Sequence, residues 1–399
     1  MLKKAIALLL AVAAALSVSG CSSLLEGDMD KITIHQASAG ARTENIADAE
    51  ASTEAELEGI LLGFIQKHKT SGLVDFKNYS GDVENDVYVA CMNVRNNTPL
   101  GSYAVYYISS NVSRYVTYYQ AEIHITYKKS ADEVAKVVDV YSNDTVRALI
   151  KNVMSGIGSS LVMNTSLSAL DNDYVQKYIH SIYYSDPSLI VAIPEASVSL
   201  YPETGMPRIV DISFAYSDDS ASLNRKRSEM MSAARQTAAK IQAESEEGKA
   251  LEACLLLSNL SNFDAELDGK GQNGQDSWNQ EYTAYGAIVG GKATSEGYAM
   301  AFKLLCDLSD IPCQVVIGRR NDAGHAWNIV EIGDSYYHFD VSLFDETGGG
   351  DGTLFLKDQD VSGTYEWETD SYPQCDGDLT FGEVQSGLNG TEFLSTANR

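Results

Sequence analysis

The chain has 399 residues, 44% of them apolar and 21% charged, which fits a folded protein of two or three domains and excludes a disordered one. A formal charge of −26 argues against binding to nucleic-acid backbones, which needs clustered Lys and Arg to displace counterions. Six cysteines, five once Cys21 is set aside, are too sparse for a disulfide framework.

In chain order, Lys3 and Lys4 precede an apolar run from Ala5 to Leu16, and Val18, Ser19 and Gly20 precede Cys21. The apolar run is shorter than the roughly 18 to 20 residues a spanning helix needs. Residues 1–20 therefore read as a bacterial lipoprotein signal peptide, with Cys21 as the lipidated first residue. The expected location is the extracytoplasmic face of a cell membrane, held there by the lipid. Residues 21–52 are rich in Ala, Ser, Asp and Glu without sustained periodicity and read as a flexible tether.

Glu54 to His68 sets Leu57, Ile60, Leu61, Phe64 and Ile65 at helical spacing, so one stripe must be buried. Two later segments, EIHITYKKSADE and DISFAYSDDSAS, alternate like strands and then turn helical. Ile123, Ile125 and Tyr127 in the first lie 89 residues before Ile212, Phe214 and Tyr216 in the second, and Thr98-Pro99 lies 88 before Asp186-Pro187. This predicts two small, related α/β units over 53–160 and 161–245, although a strand followed by a helix also recurs by chance. Neither unit contains a visible catalytic cluster. Ser220 to Glu246 and Ala250 to Leu260 read as helices bridging into a last domain, 246–399. The loop Asp268 to Asp276 lacks the alternating acidic ligands and closing glutamate of an EF-hand, and reads as an exposed, turn-rich loop.

Tyr282 to Asp345 holds the residues that could carry chemistry. Tyr298, Phe302, Leu305 and Leu308 mark a helix, and Thr294 or Ser295 is placed to cap its first turn, where the helix dipole favours negative charge. AGHAWNIVEIGDSYYHFDVSLFD alternates as a hairpin turning at Gly333-Asp334. If Ile332 pairs with Ser335, Trp327 lies opposite Asp340 and His325 opposite Ser342. His325 and Asp340 then share a face as diagonal neighbours, about 7 to 8 Å apart at the backbone. A turn one residue longer would separate them. Ser295, His325 and Asp340 thus have the makings of a nucleophile, base and orienter.

These motifs resemble the core of the transglutaminase-like superfamily, relatives of papain-like thiol enzymes. The family pattern of nucleophile-Glu-Gly-Tyr-Ala, His-Ala-Trp-Asn and an aromatic strand ending in Asp is met here by Ser295-Glu296-Gly297-Tyr298-Ala299, His325-Ala326-Trp327-Asn328 and Tyr336 to Asp340. The resemblance implies an α+β fold, with a papain-like C-terminal domain behind the two α/β units. It also implies a cleft walled by residues such as Tyr298 and Trp327, and a substrate class of glutamine side chains or peptide bonds.

The departure from that pattern is Ser295, where the family has its nucleophilic cysteine. A thiol near pKa 8.5 can be held as thiolate by a helix N-terminus and an imidazolium, whereas a serine hydroxyl must lose its proton during attack. Two functions follow. One is a catalytically degenerate module that binds protein, peptide or cell-wall material, with Ser295 as a helix cap and His325–Asp340 as a retained structural bond. The other is an acyl-transfer or peptidase-type enzyme using Ser295, His325 and Asp340. Neither needs a cofactor, and His35, His68, His124, His180 and His338 are too scattered to suggest a metal site. Cys306 and Cys313, flanking a helix-to-strand turn, read as buried thiols.

Overall fold

In the computed structural model, which describes residues 46–168, 170–270, 279–350 and 352–388, two successive sheets repeat one plan. The first unit runs β1 (Ala49–Glu50), α1 (Glu54–Gln66), β2 (Ser71–Phe76), α2 (Val83–Asn97), α3 (Pro99–Ala104), β3 (Val105–Arg114), β4 (Tyr119–Tyr127) and α4 (Ala131–Ala135). The second runs β5 (Val138–Val140), α5 (Asn143–Ser155), β6 (Ser160–Thr165), α6 (Asn172–Ser185), β7 (Glu195–Tyr201), β8 (Arg208–Ala215) and α7 (Ser220–Ala238). Their strand orders are β1-β2-β4-β3 and β5-β6-β8-β7. In each sheet the first pair is parallel and the other two are antiparallel.

The correspondence extends to the residues that start the helices. Thr53, Asp82 and Ser130 cap α1, α2 and α4 by accepting from first-turn amides, and 89 residues later Ser142, Asp171 and Asp219 do the same for α5, α6 and α7. An N-cap side chain satisfies an amide that the helix leaves unpaired, typically worth about 1 kcal/mol. The sheets divide the sequence at about residue 137, not at 160. β5 and α5 belong to the second unit because β5 pairs with β6.

Downstream come α8 (Glu246–Ser258), the short parallel pair β9 (Asn262–Phe263) and β10 (Lys292–Ala293), and α9 (Ser295–Asp307). β11 (Cys313–Arg320), β12 (Ala323–Ile332), β13 (Ser335–Phe339), α10 (Val341–Glu346) and β14 (Tyr365–Glu366) follow. The last sheet is antiparallel in the order β13-β12-β11-β14. α9 buries more than the predicted stripe: every residue from Gly297 to Cys306 is buried, because β11 and β12, α8, α7 and the turn Gly286–Gly290 surround it. The α8–α9 side of this domain and the second α/β unit share one continuous apolar core, running from Val140 to Val384, while the core of the first unit also takes in Val162 and Ile209 of the second.

Among the described residues, Cys91, Cys254, Cys306, Cys313 and Cys375 are buried free thiols, as Cys306 and Cys313 were expected to be. No helix among the described residues is long and apolar enough to cross a membrane. The expected signal peptide, Cys21 and most of the tether lie outside the described residues.

Candidate active site

α9 begins where β10 ends. Thr294, the residue before it, is extended and makes no side-chain cap; its hydroxyl donates instead to the Glu281 carbonyl (3.2 Å). Gly297 lets this first turn press against the preceding chain, since a Cβ there would meet the Glu281 carbonyl oxygen at 2.3 Å. Ser295 is therefore the first helical residue, with its amide and hydroxyl pointing away from the helix. The expectation that Ser295 caps the helix is corrected on this point. Both of its donors go to one carboxylate outside the helix: the Ser295 amide reaches Asp268 Oδ1 at 2.7 Å and the hydroxyl reaches the same oxygen at 2.6 Å. The Ser295 Oγ in turn accepts the Ala326 amide of β12 at 3.2 Å.

The hairpin has the expected register, with Ile332 opposite Ser335. Its ladder stops at the Asn328–Phe339 pair. Asp340 thus leaves the strand and becomes the N-cap of α10, accepting the Leu343 amide (3.0 Å) and the Ser342 hydroxyl (2.8 Å) on Oδ1. Its Oδ2 accepts from His325 Nε2 (2.7 Å) and from the Tyr365 hydroxyl (2.7 Å). With all four lone-pair positions used, this carboxylate is fixed. Burial opposes its charge, but His325 and these hydrogen bonds outweigh burial and hold the Asp340 pKa down at about 2.

The other face of the imidazole meets Asp268, with Nδ1 at an ion-pair distance of 3.5 Å from Oδ2. Burial alone would lower the His325 pKa. The charge of Asp340, the hydrogen bonds to Asp268 and Asp340 and the charge of Asp268 together raise it to about 9. At neutral pH the ring is an imidazolium donating from both nitrogens. Ser295, Asp268, His325, Asp340 and Tyr365 thus form one chain, buried except at Asp268, in which Asp268 stands between the hydroxyl and the ring. A serine nucleophile needs a neutral imidazole to take its proton. Here the proton of the hydroxyl is already committed to a carboxylate, and the imidazole has no lone pair to offer.

Asp268 was not singled out in the sequence, where it opens a loop read as exposed; residues 271–278 of that loop lie outside the described residues. Spacing gives no sign of it. A hint lies in the chemistry, since a neutral serine at a helix N-terminus facing a histidine leaves room for an anion from elsewhere.

Tyr298 and Trp327, expected as cleft walls, are 0% and 1% exposed and belong to the interior. The Tyr298 hydroxyl donates to Asp345 of α10 (2.8 Å), which also accepts the Phe263 amide (3.0 Å), so this carboxylate is an internal anchor. The Trp327 indole N–H donates to His338 Nδ1 (3.0 Å), and His338 Nε2 donates to Asp358 (2.9 Å). Cys375 lies beside this pair, and the three side chains are close enough to suggest a metal site. The indole excludes that reading: with Nδ1 accepting, the neutral ring keeps its proton on Nε2 and has no lone pair left for a cation. Next to Ser295, the Glu296 carboxyl accepts from Tyr184 of α6 (3.0 Å). Burial and the nearby charge of Asp268, opposed by that hydrogen bond, push it up to about 7.

Residues 232–341, which include all three predicted site residues, match the family described as the transglutaminase-like superfamily. The chain carries a transglutaminase-like domain. Solved structures similar to it include a transglutaminase, at 10% identity and a TM-score of 0.26, with 63% of this chain and 64% of that one covered. An assigned cysteine protease from Cytophaga hutchinsonii is 13% identical with a TM-score of 0.23, covering 43% of this chain and 70% of its own. An assigned protease from Parabacteroides distasonis is 7% identical with a TM-score of 0.21, covering 67% of this chain and 39% of its own. These superpositions are too loose to bear on mechanism, and the chain spans less than two thirds of the length of the transglutaminase. No curated protein sequence matches the chain. The transglutaminase-like domain is α+β, and it follows the two α/β units.

Proposed function

We propose that this is a lipid-anchored protein of the extracytoplasmic membrane face, tethered through Cys21, whose transglutaminase-like domain is a catalytically degenerate module binding protein, peptide or cell-wall material. The observation that carries the reading is the Asp268 carboxylate lying between the Ser295 hydroxyl (2.6 Å) and the His325 ring (3.5 Å). Serine stands where the resembling family has cysteine, and the intruding carboxylate supplies the negative charge that a thiolate would have carried beside the imidazolium. Such a site keeps its electrostatic balance and loses its nucleophile. The anchor rests on the Lys3-Lys4 start, the short apolar run and the small residues before Cys21.

The competing reading, a serine enzyme, draws on the 2.7 Å His325–Asp340 contact, the geometry of a base held by its orienter. A serine-directed fluorophosphonate probe separates the two. No labelling at Ser295 is expected, and labelling that disappears in His325→Ala would overturn the degenerate reading.

A further inference from the structure

Three donors converge on Asp268, and together they describe what this site holds. The Ser295 amide and hydroxyl meet Oδ1, and the His325 ring faces Oδ2, so both oxygens of a planar carboxylate have partners. A carbonyl would leave one donor side empty, and the spacing suits an anion with two oxygens. The positive character of the site is built in. Ser295 opens a 13-residue helix whose first turn is buried, and Asp340, with all its lone pairs used, holds His325 as a cation from the far side. The bound carboxylate is also the outermost member of the chain: the Asp268 side chain is 15% exposed, against 7% for His325 and 2% for Asp340. It comes from a turn held by the Asp268 amide on the Asp264 carbonyl (3.0 Å), outside any strand or helix.

We propose that the Ser295 amide, the Ser295 hydroxyl and the His325 ring N–H form a carboxylate receptor that is filled by the protein's own Asp268 and accepts a carboxylate-bearing ligand in exchange. The proposal rests on the non-catalytic reading of this site and gives that reading a ligand class. Asp268 is then an internal stand-in for the ligand, and its tethering sets the affinity a competitor must exceed. Glu296 beside the site disfavours a second negative charge, so monocarboxylates fit better than dicarboxylates. A peptide C-terminus and an acidic side chain both present the right group.

The test uses the full chain with Asp268→Gly, which empties the receptor. Acetate at several times its Kd is expected to raise the melting temperature of the variant by about 1 °C or more, with equimolar chloride giving no rise and the wild type, where Asp268 competes, a smaller one. N-acetylglycine against N-acetylaspartate amide then distinguishes a terminal from a side-chain carboxylate, and succinate is expected to do no better than acetate. A folded variant that melts at one temperature in acetate and chloride overturns the proposal. If the variant is unfolded in both, the wild type decides: its Ser295 and Ala326 amide resonances shift with acetate and not with chloride, and unmoved resonances overturn the proposal. Failure here with no fluorophosphonate labelling leaves the degenerate reading intact, whereas labelling removes that reading whatever acetate does.

Discussion

Restoring a thiol at Ser295 should not by itself restore a thiolate. In Ser295→Cys the sulfur inherits a position in direct contact with the Asp268 carboxylate and one residue from the charge of His325. At about 4 Å and an effective dielectric near 20, the Asp268 charge repels a new thiolate by about 4 kcal/mol, while His325, on the far side of that carboxylate, attracts it less. The repulsion outweighs the attraction, so the introduced thiol keeps a pKa at or above the free value of about 8.5. Adding Asp268→Asn removes the repulsion and leaves the attraction. At 1.36 kcal/mol per pH unit, the midpoint of thiolate formation should fall by about 3 units. The assay is iodoacetamide alkylation followed from pH 4 to 10, read as a midpoint because a weaker base is also a weaker nucleophile. If the single and double variants share a midpoint, Asp268 does not occupy the anion position and the electrostatic reasoning fails.

Other outcomes follow from the same geometry. His325 has a folded pKa of about 9 against an ordinary 6.5, so its contribution of about 3 kcal/mol is whole below pH 6.5 and is lost as pH rises through 9. Thermal melts from pH 6 to 10 should show this loss in the wild type and not in His325→Gln. Asp340 behaves oppositely: its folded pKa near 2 lies below 3.8, so its contribution holds above pH 3.8 and disappears as pH falls through 2, which acid titration of Asp340→Asn against wild type can check. Gly297→Ala forces a Cβ to 2.3 Å from the Glu281 carbonyl and should cost about 3 kcal/mol or more in urea denaturation. Trp327→Phe leaves His338 Nδ1 buried without its donor and should cost about 2 kcal/mol or more by the same measurement.

Periodicity made much of this legible. The turn at Gly333-Asp334 fixes the register of β12 and β13, and that register alone brings His325 and Asp340 together. The 89-residue offset foretold the repeated sheet plan, because strands and caps recur with the physics that places them. The boundary at 160 missed because β5 is only three residues long, too short to leave an alternating pattern. Asp268 was invisible for a different reason: a carboxylate that reaches a site from a turn has no period, and only the fold decides that it faces Ser295. Tyr298 and Trp327 were misread as cleft walls because a motif records that aromatics are present and says nothing of which side solvent is on.

The two copies differ most at their ends. The first closes with a helix of 5 residues and the second with one of 19, so α7 runs on for about 21 Å beyond the point where its counterpart stops. α7 lies against the Gly286–Gly290 turn and α9, the helix that presents Ser295, and Glu229 in the extension accepts from the Tyr285 hydroxyl (3.0 Å). The later copy thus serves as a strut for the receptor, while the earlier one packs on that copy through Val162 and Ile209.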